Sequence, residues 1–409
     1  MMANARDDNP GDPIDAEITR LSDLSRELID AYLRWNSKII HGETMFSLYG
    51  DISDFVNFRV ETAATCLDLV SGRRIADCLG LGRSLLENYL LLKLLCRGDK
   101  YFQLQDMSNK TVPDLKDYLA EQQKDLAAKH AAGESLHCLY VAPYPREKKT
   151  LMYVFEGLQD SGNPDFRIPI HHFQFQEFNP QTMRLRDEDY FTYYEPEQST
   201  KDARHRFQNE AKYRYRHYLS YDALLQCLQI NDLADLAAIK RIDAHYTFLG
   251  TFLHPTHDAA RDLHVQSNVH SGQMAIGMNQ RYEPAAALLA ALYVSQILAG
   301  MIGELAGFYD KASNEYFKDP GTAEVKKLAQ ELQESAPYFW FIDNEASLYD
   351  KFNHAVNVAT DEDLRAHGGY QGIPSNQVKF ESDIYSHLKA ALGGWSNMRV
   401  GSYTPPIAN

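Results

Sequence analysis

Arg83 and Glu87 are two charged residues inside a helical stretch, residues 73–102, that is apolar on most sides. Residues four positions apart share a face of an α-helix, so these two side chains can form an ion pair within one helix. A charge on an apolar helix is costly unless it is paired and hydrogen-bonded. The pair has two interpretations: it fixes the packing of the helix, or it lies at the bottom of a cleft where it can take part in chemistry.

Two histidines mark the end of a second helical pattern. Pro255 ends this pattern at His254, because the residue before a proline disfavours helical backbone angles. The helix dipole favours the protonated imidazole at that end. Tyr246 belongs to the apolar stripe of the same helix, and His257 begins the next turn. A histidine oriented by a buried partner such as Glu87 is suited to general acid–base catalysis, and an ordinary hydrogen-bonded helix corner is the alternative.

The same histidines are poor candidates for a metal site. His254 and His257 are followed by His264 and His270, which supplies enough nitrogen atoms. Pro255 nevertheless interrupts the helix between the first two, so they lack the fixed geometry of helical metal ligands, and no carboxylate lies at a familiar offset. The sequence also lacks a Gly-rich phosphate loop, a G-x-S-x-G turn and a His-Glu-x-x-His motif. We therefore expect no metal and no cofactor.

A basic segment with interleaved aromatic residues spans residues 201–221. Arg204, Lys212 and Arg216 recur on one helical stripe of this segment, which suits contacts to RNA phosphates with bases stacked on the aromatic rings. The preceding residues 184–197 are strongly acidic. Charge compensation between the two segments is the simpler interpretation, and RNA binding is the functional one.

The overall composition is that of a globular protein. The chain has 409 residues, of which 44% are hydrophobic and 24% charged, so extensive disorder and fibrous repeats are excluded. The net charge of −15 is unsuited to a protein that coats nucleic acid or anionic lipid over its whole surface, although a local basic patch remains compatible with it. Five cysteines without a Cys-x-x-Cys pair argue against a disulfide framework. Because the first residues carry no secretory signal pattern, we expect a cytoplasmic protein.

One apolar stretch is long enough to cross a membrane. Residues 284–303 contain no charged side chain, and a bilayer span requires about 20 residues. Glu283 and Glu304 flank this stretch, whereas membrane helices are usually anchored by basic or aromatic residues. The stretch is also rich in alanine. These features predict a central buried helix and no membrane contact.

Helical periodicity dominates the rest of the sequence and predicts an all-α fold, a multi-helix bundle in which residues 73–98 and 284–307 form the inner layer. Proline and aromatic residues interrupt this periodicity in the middle of the chain, where short alternating pieces can form a small β-hairpin. The predicted organisation is a disordered lead-in (1–14), a helical bundle (15–132 and 201–318), an irregular insertion (133–200) and a C-terminal appendage (319–409).

The two polar helices resemble the motifs of a bacterial domain family of unknown function. Arg-Ser-Leu-Leu-Glu at 83–87 matches its Arg-Ser-x-x-Glu helix, and Tyr-x-x-Leu-Gly-x-x-x-His at 246–254 matches its Tyr-x-x-Leu-Ser-x-x-x-His helix. Gly250 stands where that family has serine, which removes one hydroxyl from the site. The family is similar to HEPN helical bundles, many of which are RNA-cleaving toxins or phage-defence components. The resemblance covers residues 50–110 and 225–305.

The HEPN resemblance also implies an Arg-x(4–6)-His motif for RNA cleavage. Two matches occur, Arg34 to His41 and Arg167 to His172, which is no more than chance placement of these residue types would give. Pro169 also interrupts the second match. The motif therefore adds nothing to the resemblance.

Two functions are compatible with these features. The first is a HEPN-like RNA-cleaving toxin or phage-defence effector, in which Glu87 and His254 perform acid–base chemistry and Arg83 or the basic stripe holds the RNA backbone. Tyr246 and His257 complete the expected site. The second is a non-catalytic interaction or regulatory protein, active as a homo-oligomer or with a protein partner, in which the same polar cluster specifies the bundle.

Overall fold

The structure is a computed structural model that describes residues 13–40, 48–98, 100–132, 136–141, 150–155, 168–169, 221–253, 257–265, 281–312 and 319–397. The α-helices of the described residues are α1 (Pro13–Ile40), α2 (Leu48–Ser71), α3 (Ile75–Arg97), α4 (Val112–Ala131), α5 (Tyr221–Ile230), α6 (Leu236–Gly250), α7 (His257–Asp262), α8 (Pro284–Asp310), α9 (Ala323–Glu334), α10 (Leu348–Asn357), α11 (Asp361–Ala366) and α12 (Ile384–Asn397). The predicted all-α bundle is confirmed.

Helix α8 lies at the centre of the bundle and packs against α1, α2, α3 and α9. Almost every side chain between Ala286 and Leu305 is buried, because the helix is apolar on all sides. Its length and hydropathy would also fit a membrane span, and 94% of its most apolar window is buried inside the protein. Helix α3 is the second inner helix, with buried residues on most of its faces.

Helix α6, which carries the second sequence motif, has a defined start and end. The Asp235 carboxylate accepts a hydrogen bond from the backbone N–H of Ala238 at 2.7 Å, which satisfies one of the free N–H groups at the helix N-terminus. The helix ends at Gly250, so the predicted end at His254 is wrong, and residues 251–253 continue as a turn. This helix packs against α3, α5 and α12.

A small antiparallel sheet lies beside the helices, with the strand order β2-β3-β1-β4. Strands β2 (Leu136–Val141) and β3 (Thr150–Phe155) form a hairpin within the insertion, and β1 (Tyr101–Asp106) and β4 (Ile168–Pro169) extend it. The sequence predicts the strand at 136–142 but not β3, and its second predicted piece, 171–178, lies outside the described residues. Helix α4 packs on this sheet around a second small core that includes Leu115, Leu126 and Leu151. Strand β1 is absent from the sequence prediction, which ended helix α3 at Gly98 and expected no strand before α4.

Residues beyond 319, predicted as an appendage, contribute to the main core. Tyr338, Phe339 and Phe341 are buried in the same cluster as the side chains of α8. Trp340 is buried in a smaller cluster with residues of the following turns, including Ile373. The main core of the protein therefore continues past the predicted boundary at residue 319.

Candidate functional site

Arg83 joins helices α3 and α6. Its Nη2 donates a hydrogen bond to the hydroxyl of Tyr246 at 2.5 Å, and its Nε donates to Oε1 of Glu87 at 3.2 Å. The guanidinium carbon also lies 4.1 Å from the centroid of the Tyr246 ring, a cation–π distance. Three of the predicted site residues, Arg83, Glu87 and Tyr246, are therefore brought together, although the chain separates Arg83 from Tyr246 by 163 positions.

This Arg83–Glu87–Tyr246 cluster is open to solvent on one side. The Arg83 side chain is 18% exposed and that of Glu87 is 38% exposed. Burial raises the pKa of the Tyr246 phenol, the negative charge of Glu87 raises it further, and Arg83 opposes both effects. Tyr246 is therefore a neutral hydroxyl at physiological pH, and the solvent-facing group of the cluster is the Glu87 carboxylate.

Two further residues, which the sequence motifs do not include, hold Tyr246 in place. The Tyr221 ring stacks on the Tyr246 ring with centroids 3.5 Å apart and an angle of 10° between the planes. The Tyr221 hydroxyl donates to Oδ1 of Asp243 at 3.3 Å, one turn before Tyr246. Burial, followed by the charge of Asp243, raises the pKa of Tyr221, so it also stays neutral. These contacts connect α5 to the same site.

Gly250 makes room for the guanidinium of Arg83. A Cβ atom at Gly250 would lie 2.8 Å from Nη1 of Arg83, closer than real Cβ contacts allow. The serine that the resembling family has at this position would therefore push Arg83 aside. With glycine instead of serine at position 250, the site lacks one hydroxyl group, and the guanidinium of Arg83 can lie closer to α6.

The side chains of the other predicted site residues are not among those that the structure describes. Helix α7 begins at His257, but its side chain is not described, and His254 lies outside the described residues. The described segment that contains α6 ends at Leu253. In this segment the carbonyl of Phe252 lies next to Gly80, which is on α3 one turn before Arg83. The RNA-binding residues Arg204, Lys212 and Arg216 also lie outside the described residues. The meeting of His254 with Glu87 thus stays a prediction.

His245, which the sequence prediction passed over, is a buried structural histidine. Its Nε2 lies 3.2 Å from the carbonyl oxygen of Trp340 and its Nδ1 lies 2.7 Å from the hydroxyl of Tyr293. A carbonyl can only accept, so Nε2 donates to it and Nδ1 of the neutral ring accepts from Tyr293. Burial lowers the pKa of His245 to about 3, so the ring is neutral throughout the physiological range.

Because His245 is buried and neutral, we expect its contribution to the free energy of unfolding to depend on pH. The His245→Gln variant should lack this contribution. The unfolded chain takes up a proton below pH ~6.5 while the folded chain does not, so unfolding becomes easier as the pH falls from ~6.5 to ~3. Between pH 7 and pH 5 the wild-type protein should lose about 2 kcal/mol more of its free energy of unfolding than the variant, as measured by urea titrations at both pH values. Glutamine can donate to the Trp340 carbonyl and accept from Tyr293, which preserves both hydrogen bonds. Equal pH dependence of the two proteins would contradict the buried neutral state.

A metal site is absent from the described part of the chain, where no group of three or more His, Cys, Asp or Glu side chains could hold an ion. Comparisons of the chain with protein-family models, with curated proteins and with solved structures gave no match. The functional interpretation therefore depends on the motif residues and on the geometry of the Arg83–Glu87–Tyr246 cluster.

Proposed function

We propose that the chain is a HEPN-like RNA-cleaving protein, of the toxin or phage-defence type, whose reaction takes place at the Arg83–Glu87–Tyr246 cluster. The observation that supports this most is the contact between Arg83 and Tyr246. This contact joins α3 to α6, the two helices whose motifs carry the resemblance. A second supporting feature is the solvent-facing carboxylate of Glu87, which leaves a titratable group accessible to a substrate.

In this proposal each group has one role in cleavage of an RNA phosphodiester. The 2′-hydroxyl oxygen forms a bond to the adjacent phosphorus, and its proton passes to the carboxylate of Glu87. The bond between phosphorus and the 5′ oxygen breaks, and protonated His254 donates a proton to that leaving oxygen. Arg83 and the Tyr246 hydroxyl stabilise the negative charge that develops on the phosphoryl oxygens. The basic stripe of Arg204, Lys212 and Arg216 holds the flanking strand.

The experiment that tests this proposal is incubation of the purified full chain with single-stranded RNA. We expect fragments that end in a 2′,3′-cyclic phosphate, because the attacking oxygen belongs to the substrate itself. An RNA with a single 2′-deoxynucleotide at a mapped cleavage position should resist cleavage there and be cut normally elsewhere. Failure to cleave any RNA, or equal cleavage at the deoxy position, would contradict the proposal.

A non-catalytic interaction protein is the second candidate, and the enclosure of Arg83 favours it. The guanidinium is hydrogen-bonded to two side chains, stacked on a ring and fitted against Gly250. Such a network can serve to hold α3 and α6 in register. This candidate predicts no RNA turnover by the wild-type chain and a stable complex, with a second copy or another protein, in solution. Measurement of the oligomeric state together with the RNA assay distinguishes the two candidates.

A further inference from the structure

A cavity of about 380 Å³ lies away from the Arg83–Glu87–Tyr246 cluster, between α3, the turn from α5 to α6, and residues 342–343. Its volume is within the range of small-molecule sites in proteins. The lining combines charged side chains with aliphatic ones, and the aliphatic ones include Leu90, Leu228, Leu233, Ile242 and Ile342. A ligand of this size would therefore meet both apolar and charged groups.

Arg241 is a largely buried cation that lines this cavity. The residue is only 8% exposed, and no carboxylate of the described residues lies within ion-pairing distance of it. Its Nη2 donates to the carbonyl oxygen of Ile342 at 3.1 Å and its guanidinium carbon lies 5.3 Å from the Trp340 ring. Its Nε has no hydrogen-bond partner among the described residues. Burial lowers the pKa of Arg241, and the negative charges of Asp235 and Asp343, which line the same cavity, offset only part of this effect.

The remaining charges of the cavity favour a ligand with one negative and one positive group. The ammonium of Lys93 pairs with Oδ1 of Asp343 at 2.6 Å, so these two charges compensate each other. Asp232 and Asp235 are exposed at the rim, where Asp235 caps α6. A multiply charged phosphate would be repelled by these carboxylates. A single carboxylate can pair with Arg241, and a cationic group at the other end can face the rim.

We propose that this cavity binds a small zwitterionic carboxylate of the amino-acid class. The ligand carboxylate pairs with the guanidinium of Arg241, the apolar side chain lies against the leucine and isoleucine wall, and the ammonium faces Asp232 and Asp235. The proposal is independent of RNA cleavage, because it involves none of the residues of the Arg83–Glu87–Tyr246 cluster.

Calorimetric titration of the purified full chain with leucine tests this site. Leucine should bind, and leucinamide and N-acetyl-leucine, which each lack one of the two charges, should bind about tenfold or more weakly. Inorganic phosphate should not compete with leucine. Absence of binding by every amino acid of a panel at millimolar concentration would overturn the proposal, as would phosphate binding more tightly than any of them.

Substitutions test whether Arg241 is the residue that binds the leucine carboxylate. Arg241→Met should reduce leucine affinity about tenfold or more and leave the melting temperature unchanged or higher, because it removes an unpaired buried charge. Lys240→Met, at the exposed neighbouring position on α6, is the matched control and should bind normally. Asp232→Asn tests the rim and suits the positive φ of 56° at that residue, since asparagine tolerates such angles. Wild-type affinity in Arg241→Met would contradict the assignment, and if that variant does not fold, the leucinamide comparison on the wild-type chain decides.

Discussion

Gly300→Ala is expected to destabilise the protein by about 3 kcal/mol, because an added methyl group would overlap a ring that cannot move. A Cβ atom at Gly300 would lie 2.5 Å from Cζ and 2.7 Å from the hydroxyl oxygen of Tyr89. Tyr89 is fully buried, and its hydroxyl donates to the carboxylate of Asp343, which is itself held by Lys93 at 2.6 Å. The overlap therefore separates α8 from α3, the two inner helices of the bundle.

Gly307→Ala is the matched control in the same helix. Nothing lies within 4 Å of a Cβ atom at Gly307, so the substitution adds no overlap. Since alanine is a better helix former than glycine, this variant should be about 0.5–1 kcal/mol more stable than the wild type. Urea denaturation of both variants measures the difference. A loss of stability of the same size in both would show that the close approach of Tyr89 to α8 is not what requires glycine at position 300.

Glu87→Gln is expected to lower the rate of RNA cleavage about 100-fold while the protein keeps its fold, because the variant loses a proton acceptor in the reaction. The glutamine oxygen can still accept the hydrogen bond from Nε of Arg83, so the contact that orients α3 is preserved. Single-turnover cleavage assays and melting curves on the same preparations measure the two effects separately.

Glu331→Gln on α9 provides the control for the loss of a carboxylate. Glu331 is exposed and pairs with Lys327 four residues away, at 3.5 Å, as Glu87 pairs with Arg83. A surface pair of this kind contributes little to stability, so this variant should cleave RNA and melt as the wild type does. Wild-type cleavage by Glu87→Gln would remove Glu87 from the mechanism, and a large fall in its melting temperature would make it structural.

The inner layer of the fold could be predicted from the sequence because it depends on local patterns. Helices α3 and α8 are apolar on most faces, and such helices must be buried. The run after Pro337 is likewise aromatic and apolar in the sequence, and Tyr338 and Phe341 lie in the main core. The sheet was harder to foresee, since β1 pairs with β3, which lies about fifty residues later in the chain.

The site was foreseen only in part, and the reason is geometric. The motif spacing identifies Arg83 and Tyr246, but the stacking of Tyr221 on Tyr246 depends on how α5 crosses α6. The predicted site also did not include His245, because the prediction was based on the histidines that follow α6. The sequence does indicate that His245 is buried, because Ile242, His245 and Leu249 are three and four residues apart and so share one face of that helix.

The cavity around Arg241 could not be predicted from the sequence. Its lining comes from α3, from the turn between α5 and α6, and from residues 342–343, which are distant in the chain. In the sequence Arg241 is an ordinary basic residue near the start of a helix. Only the packing of Trp340 and Ile342 against it leaves its charge buried and without a carboxylate partner.

The cleavage of RNA by His254→Ala, measured together with its melting temperature, tests the proposed function most directly. The matched control is His367→Ala, at the C-terminal end of α11 in a different part of the chain. If His254 donates the proton to the leaving oxygen, His254→Ala should lose cleavage about 100-fold or more, with a melting temperature and helix content equal to those of the wild type. Cleavage at the wild-type rate, or a loss of activity that accompanies unfolding, would contradict a catalytic role for His254.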